Sequence, residues 1–339
     1  MLLLFSACAG SPNQQDNRRQ PDWVRDPYRK YDRQANVAAV GSGTDRQTAE
    51  KNALGNLIAF FGQTIQVDER VSVIYQEAVQ SGITARWSET TTINSNIITS
   101  AGMENLVAAE IGEVWFDGNR TYYALAVINK RNAIQVYSQM LGANQRMINN
   151  LINIPPDQKL TLEGIARYNF AATIADINVS YANLLSLLGD PTYLQRTVRG
   201  DEYRLEAQNI IRAIPINIIV NNDRENRIQS AFAKVFTGLG FRTGTNNERV
   251  NAHYTLRVNV TLSSNNFPGD QNRYALMELN ANLTDTRTAE VLLPFNFTSR
   301  EGHPTLSSAE NRVFLSAEQR IEIEYREVLT MYIESLLPK

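Results

Sequence analysis

The sequence is poor in the side chains that crosslink chains and hold soft metals. Its 339 residues include 1 Cys, Cys8, and 2 His, His253 and His303. A single cysteine excludes a disulfide within the chain. Zinc-type sites need three or four soft ligands, so no such metal centre is expected. A carboxylate site for a hard cation would need an Asp/Asn-Gly loop with regular ligand spacing, and none stands out. The net charge is only −2, which gives no electrostatic reason for nucleic-acid binding. No stretch approaches the roughly 20 apolar residues of a membrane-spanning helix. What remains is ordinary globular material, 43% hydrophobic and 20% charged, at a length that suits two or three domains.

Cys8 follows Met1-Leu2-Leu3-Leu4-Phe5-Ser6-Ala7 and precedes Ala9-Gly10-Ser11. An apolar run, then small residues, then cysteine resembles a bacterial lipobox. There the chain is cut before the cysteine, and its thiol receives a diacylglyceryl group. Small residues fit the peptidase, and sulfur is the nucleophile for lipid transfer. Phe5 departs from the usual Leu. The run is shorter than a signal core of about 7–15 residues, and no Lys or Arg precedes it, which predicts a natural start upstream of Met1. The polar stretch Ser11–Gln20 reads as a tether. At about 0.8 kcal/mol per buried methylene, two or three acyl chains would hold such a protein on a membrane. The competing reading is a buried cysteine behind a Leu-rich cytosolic start.

Residues 21–130 form a first candidate module. Ala38-Ala-Val-Gly41-Ser-Gly43 reads as a strand and tight turn, with Thr44 or Asp45 capping the next helix. In that helix Ala49, Ala53, Leu57 and Phe61 recur every four residues. Ile65 to Tyr75 alternates like a strand, and a polar strand is expected over 85–98. Val107–Phe116 and Tyr122–Ile128 should form a hairpin turned by Asp117-Gly118-Asn119. Gly41-Ser-Gly43 before a helix also fits an anion site in outline. A dinucleotide fingerprint would need a third glycine where Arg46 stands, so a plain strand-to-helix turn is expected.

Residues 131–213 carry three helical stripes. The first runs from Ala133 to Ile152, the second from Ala166 to Leu188, and the third from Tyr203 to Ile214, with breaks at Ile154-Pro-Pro156 and Gly189-Asp-Pro191. Short breaks favour antiparallel neighbours, and a hairpin of this length could project as an interaction surface. Residues 214–339 form a second module. It opens with strand Pro215–Val220 and a helix on Ile228, Phe232, Val235, Phe236 and Leu239, capped by Asn222 or Asp223. Three alternating strands follow, around Tyr254–Leu262, Met277–Leu283 and Val291–Phe297, with a tight turn at Asp285–Thr288. A last helix should bury Val313, Ala317, Ile321, Val328, Tyr332 and Leu336. The expected class is α+β: two β-α-β-β-β modules with antiparallel sheets and a helical segment between them. Four Asn-x-Ser/Thr sequences, at Asn178, Asn259, Asn282 and Asn296, are read as coincidences of polar strand faces.

Pro21-Asp-Trp23, Val40-Gly41-Ser-Gly43, the alanine-spaced helix and Tyr122–Val127, in that order behind a lipobox, resemble the LPP20 family of bacterial lipoproteins. The arrangement is also similar to the N-terminal domain of FlgT. The order of the second module is similar, more loosely, to the small periplasmic domains of CsgG, LpoB and the N-terminal part of TolB. These resemblances imply an exported, lipid-anchored interaction module. They bring no catalytic, cofactor or metal residues; Cys8 alone carries over, as the acylation site. The expected role is non-enzymatic: an assembly or scaffold factor with a protein partner in the cell envelope. The outer membrane is favoured because Ala9, not Asp, follows Cys8, with the periplasmic face ahead of the cell surface. Two alternatives stay open: a surface lipoprotein that binds a host or matrix ligand, and a hydrolase whose carboxylates do not stand out. His253 and His303 are read as surface or turn residues. The sequence leaves the oligomeric state open.

Overall fold

The computed structural model describes residues 19–61, 108–244 and 252–337. They divide into two compact units. The first is built from the described residues up to 143 and from 177–197, and the second from 144–176 and from 198 onward. The strands read at Ile65–Tyr75 and over 85–98 lie outside the described residues.

In the first unit, strand β1 (Asn36–Gly43) is followed by helix α1 (Arg46–Phe61) and the hairpin β2 (Ala109–Phe116) and β3 (Tyr122–Asn129). The strands form an antiparallel sheet in the order β1-β3-β2. Asp45 caps α1 as expected. One carboxylate oxygen accepts from the Thr48 backbone N–H at 2.8 Å, the other from the Thr48 hydroxyl at 2.7 Å. Those bonds hold the Asp45 carboxyl below its usual pKa. The alanine-spaced stripe faces inward: Ala49, Ala53, Leu57 and Phe61 are all buried. They pack against Val37, Ala124, Ala126 and Ile128 of the sheet. Gly41 and Gly43 are what lets the helix come so close. A methyl group at Gly41 would overlap the Ala53 backbone nitrogen, and one at Gly43 would crowd Thr48 and Ala49. The glycine pair therefore serves helix–strand packing, as a strand-to-helix turn. In the hairpin, Asp117 accepts from the backbone N–H groups of Asn119, Arg120 and Thr121, and Gly118 takes φ +82°.

Helix α2 (Lys130–Ile152) keeps the expected stripe, with Ala133, Tyr137, Met140, Leu141, Ile148 and Leu151 buried. Helix α3 (Leu162–Leu188) differs from the reading of one stripe. Only Asn169 and Leu187 are exposed along its 27 residues. Its polar side chains Thr173, Asn178 and Ser180 are buried too, so Asn178 is inaccessible as a glycan acceptor. Near its start, Leu162, Ile165 and Ala166 join the core of the second unit. Near its end, Ala182, Leu184, Leu185 and Leu188 join the core of the first. Alanines at 166, 171, 172, 175 and 182 explain this: small side chains let neighbours approach on every side. The helix is thus core material, not a projecting arm. Helix α4 (Gly200–Ala213) is tied to it within the second unit, where Asp176 accepts from the Gly200 N–H at 3.2 Å and pairs with Arg204.

The second unit continues with β4 (Pro215–Asn221), α5 (Arg227–Gly238), the short β5 (Arg242–Gly244), then β6 (Tyr254–Asn266), β7 (Arg273–Asp285) and β8 (Val291–His303). The sheet order is β5-β4-β6-β7-β8. This sheet is mixed rather than antiparallel throughout: β4 runs parallel to both β5 and β6. The β4-α5-β5 crossover requires that direction, since a helix joins strands lying side by side. Asp223 caps α5 by accepting from the N–H groups of Ile228 and Gln229. Among the described residues, two edge strands carry side-chain stoppers. On β1 the Tyr28 hydroxyl accepts from the Ala38 N–H, while Asn52 and Asn56 donate to the carbonyls of Ser42 and Val40. On β8, Arg320 donates to the Thr298 carbonyl, and Pro294, of the same parity, has no N–H to offer.

The terminal helix covers the inner face of this sheet. It runs as α6 (Leu306–Arg320), a π turn (Ile321–Tyr325) and α7 (Arg326–Ser335). Val313, Ala317 and Ile321 are buried as read, but the buried series then goes on through Tyr325, Leu329 and Ile333. Val328, Tyr332 and Leu336 are only half-buried at its margin. The wide π turn rotates the helix relative to a regular α period and resets the phase. Tyr325 sits in the middle of the core, edge-on to Phe232 (4.9 Å), Phe295 (5.2 Å) and Phe236 (5.9 Å). Its hydroxyl is buried without a partner among the described residues, and burial pushes its pKa far up. An unpaired buried hydroxyl costs about 1–3 kcal/mol. Tyr325→Phe should therefore raise the unfolding free energy by about 1 kcal/mol in a denaturant titration; a loss of stability would mean that the hydroxyl is satisfied.

Candidate functional site

No group of three or more His, Asp, Glu or Cys gathers to hold a metal among the described residues. No helix among them is long and apolar enough to cross a membrane. The two histidines stand apart from each other. His253 precedes β6, with Nδ1 3.2 Å from the Leu160 carbonyl, and His303 ends β8, where its Nδ1 accepts from the Thr305 N–H at 3.3 Å. Both are turn and strand-end residues, as read. Cys8 lies outside the described residues.

A polar cluster closes one end of the second sheet. Asp285 accepts from Arg287 through both carboxylate oxygens, Nε at 3.1 Å and a terminal nitrogen at 2.7 Å. Thr286 donates to the carbonyls of Ala252 and His253. The Tyr254 hydroxyl accepts from the Leu162 N–H at 3.1 Å. Every group has a structural partner, so the cluster fastens the start of α3 and the β7–β8 turn to the sheet. The Arg287 side chain, then its backbone N–H, hold the Asp285 carboxyl below its usual pKa against the opposing effect of burial.

An aromatic face lies on the first unit. The face of its sheet opposite α1 carries Ala38, Leu125 and Val127, and the segment before β1 folds over it. Pro21 opens a 3-10 turn (Asp22–Val24) that lays Trp23 on this face. Asp26 caps a second turn, accepting from the Tyr28 N–H at 3.1 Å. Around Trp23 stand Tyr28, Tyr31, Trp115 and Tyr123, all half-buried. Trp115 and Tyr123 are neighbours on the hairpin, 5.5 Å apart. The Arg33 guanidinium lies 4.3 Å from the centre of the Tyr28 ring. Lys30 pairs with Glu113. The ladder breaks between Ile111 and Glu113, leaving Gly112 as the extra residue. A side chain there would meet the Tyr31 hydroxyl at 2.5 Å. Trp23 is 4% exposed, and its indole N–H finds no acceptor among the described residues. The result is a set of five aromatic rings with one unsatisfied donor beneath a partly open rim. Sequence reasoning picked out Pro21-Asp-Trp23 and the Tyr122–Val127 strand, but as family marks. The signal for the face was the pair of aromatic residues set opposite each other across the hairpin turn, Trp115 and Tyr123.

Asp285 gives the polar cluster of the second sheet a pH signature. Its folded-state pKa lies below the unfolded value of about 3.9, so its pairing adds stability above that pH. The contribution is lost as pH falls through the depressed value. Asp285→Asn should lower stability by about 1–2 kcal/mol at pH 7. In thermal melts its gap to the wild type should close between about pH 4 and pH 2; a gap that stays constant over that range would show that the charge plays no part.

No curated protein matches the chain. Among solved structures, it is similar to a secreted protein of Helicobacter pylori at 14% identity, over 85% of this chain and 98% of that one, with a TM-score of 0.40. It is also similar to a minor lipoprotein of Acinetobacter baumannii (13% identity, 36% of this chain and 92% of that one, TM-score 0.25). A third is a lipoprotein of Neisseria meningitidis (12% identity, 31% and 96%, TM-score 0.23). In sequence, residues 21–129, which carry both the Trp23 face and the close β1–α1 packing, match the family model of the LPP20 lipoprotein.

Proposed function

We propose that the protein is a lipid-anchored cell-envelope lipoprotein that acts by binding a protein partner, as a non-catalytic assembly or scaffold factor. Cys8 is the acylation site. Residues 1–20 serve as anchor and tether, 21–130 as the LPP20-like module, 131–213 as the helical segment and 214–339 as the C-terminal module. The anchor favours the outer membrane with the folded part on its periplasmic side.

One observation carries the binding reading: the half-buried Tyr and Trp rim around the unsatisfied Trp23 indole. Tyr, Trp and Arg are the residues that dominate protein–protein affinity, because they present large rigid area with a polar tip. The occupant is a polypeptide segment. It would cover the half-buried rings with apolar side chains, with Arg33 at the rim. Truncation of one central aromatic in such a surface costs 2 kcal/mol or more of binding, roughly thirty-fold in affinity.

The test is capture of the full-length protein from gently cross-linked cells, read by mass spectrometry. Wild type should retain a reproducible set of envelope proteins. Trp115→Ala and Tyr31→Ala should each lose it while keeping a cooperative melt. Unchanged capture by both variants would remove the aromatic face from the reading. An empty capture by wild type, with the protein cut by protease on intact cells, would favour a surface-displayed ligand binder. Separately, Cys8→Ala should release the protein from the membrane fraction and remove the mass of the acyl chains; an unchanged mass and distribution would exclude the anchor.

A further inference from the structure

The terminal helix has an outer face as ordered as its inner one. Opposite the buried series, Leu315, Ile323 and Met331 are 53%, 68% and 61% exposed. They stand eight residues apart, on one row with Gln319 and Glu327 between them. The row extends for about 24 Å. Ile323 lies at the middle of the π turn, which brings the crest of the row outward.

Apart from Arg326, which is exposed beside Gly238 of α5, the charged and amide side chains of this helix that concern its outer face fall into two sets. Glu310, Glu318, Glu322 and Glu324 pair within the chain, with Arg224, Arg227, Lys234 and Arg320. Arg312, Gln319, Glu327 and Glu334 are exposed, and no side-chain partner is found for them among the described residues. This second set is arranged symmetrically about Ile323. Leu315 and Met331 are equidistant from it, as are Gln319 and Glu327, and so are Arg312 and Glu334.

We propose that this face is a two-fold self-association surface, on which the terminal helices of two copies of the chain pack antiparallel across Ile323. In that register Ile323 meets its own copy. Leu315 of each copy meets Met331 of the other, the Gln319 amide donates to the Glu327 carboxylate, and Arg312 pairs with Glu334. Each of the last three contacts occurs twice, as isologous symmetry demands. Rows of side chains four residues apart form the ridges that interlock between helices. The opposite pairing distinguishes this occupant from an unrelated helix: a face that is its own complement is satisfied by a copy of itself. One helix face is smaller than a standard interface of about 1,600 Å², so the dimer is concentration-dependent. A shared membrane would raise its population by confining the copies. This surface belongs to the second unit and does not depend on the Trp23 face.

The experiment is sedimentation velocity on the full chain, without acylation, over a range from about 1 μM to about 1 mM, which spans weak association constants. Wild type should shift from monomer to dimer. Ile323→Glu places two carboxylates on the axis and should leave monomer throughout, with an unchanged melting temperature because the residue is exposed. Arg312→Glu and Glu334→Arg should each weaken the dimer by about ten-fold or more, and the double reversal should restore it. A wild type that stays monomeric over the whole range would overturn the proposal. So would a dimer indifferent to Ile323→Glu, or a double reversal no better than either single one.

Discussion

A helix of 27 residues, of which only Asn169 and Leu187 are exposed, constrains the elements around it. α3 gives side chains to the core of the first unit near one end and to the core of the second near the other. Its alanines lower the height of its surface, so neighbouring backbones can come near from several directions. The cost is that polar side chains such as Asn178 and Ser180 are carried inward as well, where each must be matched by a hydrogen bond.

Much of the fold was legible because one side of most elements faces water. Alternation in β6, β7 and β8 marked their inner faces apart from the end residues Leu262 and Val291, which are exposed, and four-residue spacing marked α1, because a solvated face leaves polar residues in register with the period. The Asp45 and Asp223 caps were legible for a local reason, an acceptor beside free N–H groups. Legibility failed where that contrast vanishes. α3 shows no polar face to give its phase away. In the terminal helix, the π turn changes the period midway, so extrapolation from Ile321 moved to Val328 and missed Tyr325, Leu329 and Ile333. Parallel pairing of β4 with β5 and β6 is a matter of topology, and three residues of β5 are too few to carry a pattern.

The candidate site was legible in its parts but not as a whole. Trp23 and the Tyr122–Val127 strand were noted as family marks. Nothing in the linear order shows that a turn near residue 23 covers Trp115 and Tyr123, nearly a hundred positions away. What joins them is the antiparallel register, which aligns Ala38 with Val127 and Trp115 with Tyr123. Recognition residues drawn from the outermost turns of a module and from its last hairpin become neighbours only when the sheet has closed.

The stoppers on β1 and β8 have a consequence for how such a chain behaves in a crowd. Proteins held at one surface meet each other constantly and in similar orientations, the conditions under which open strands recruit strands and grow fibres. Here Asn52, Asn56 and Tyr28 occupy one backbone edge, and Pro294 with Arg320 interrupts another. Main-chain hydrogen bonding, which reads any sequence alike, is withheld from neighbours at these strands. At β1 and β8, what meets a neighbour is therefore the pattern of side chains rather than an open backbone.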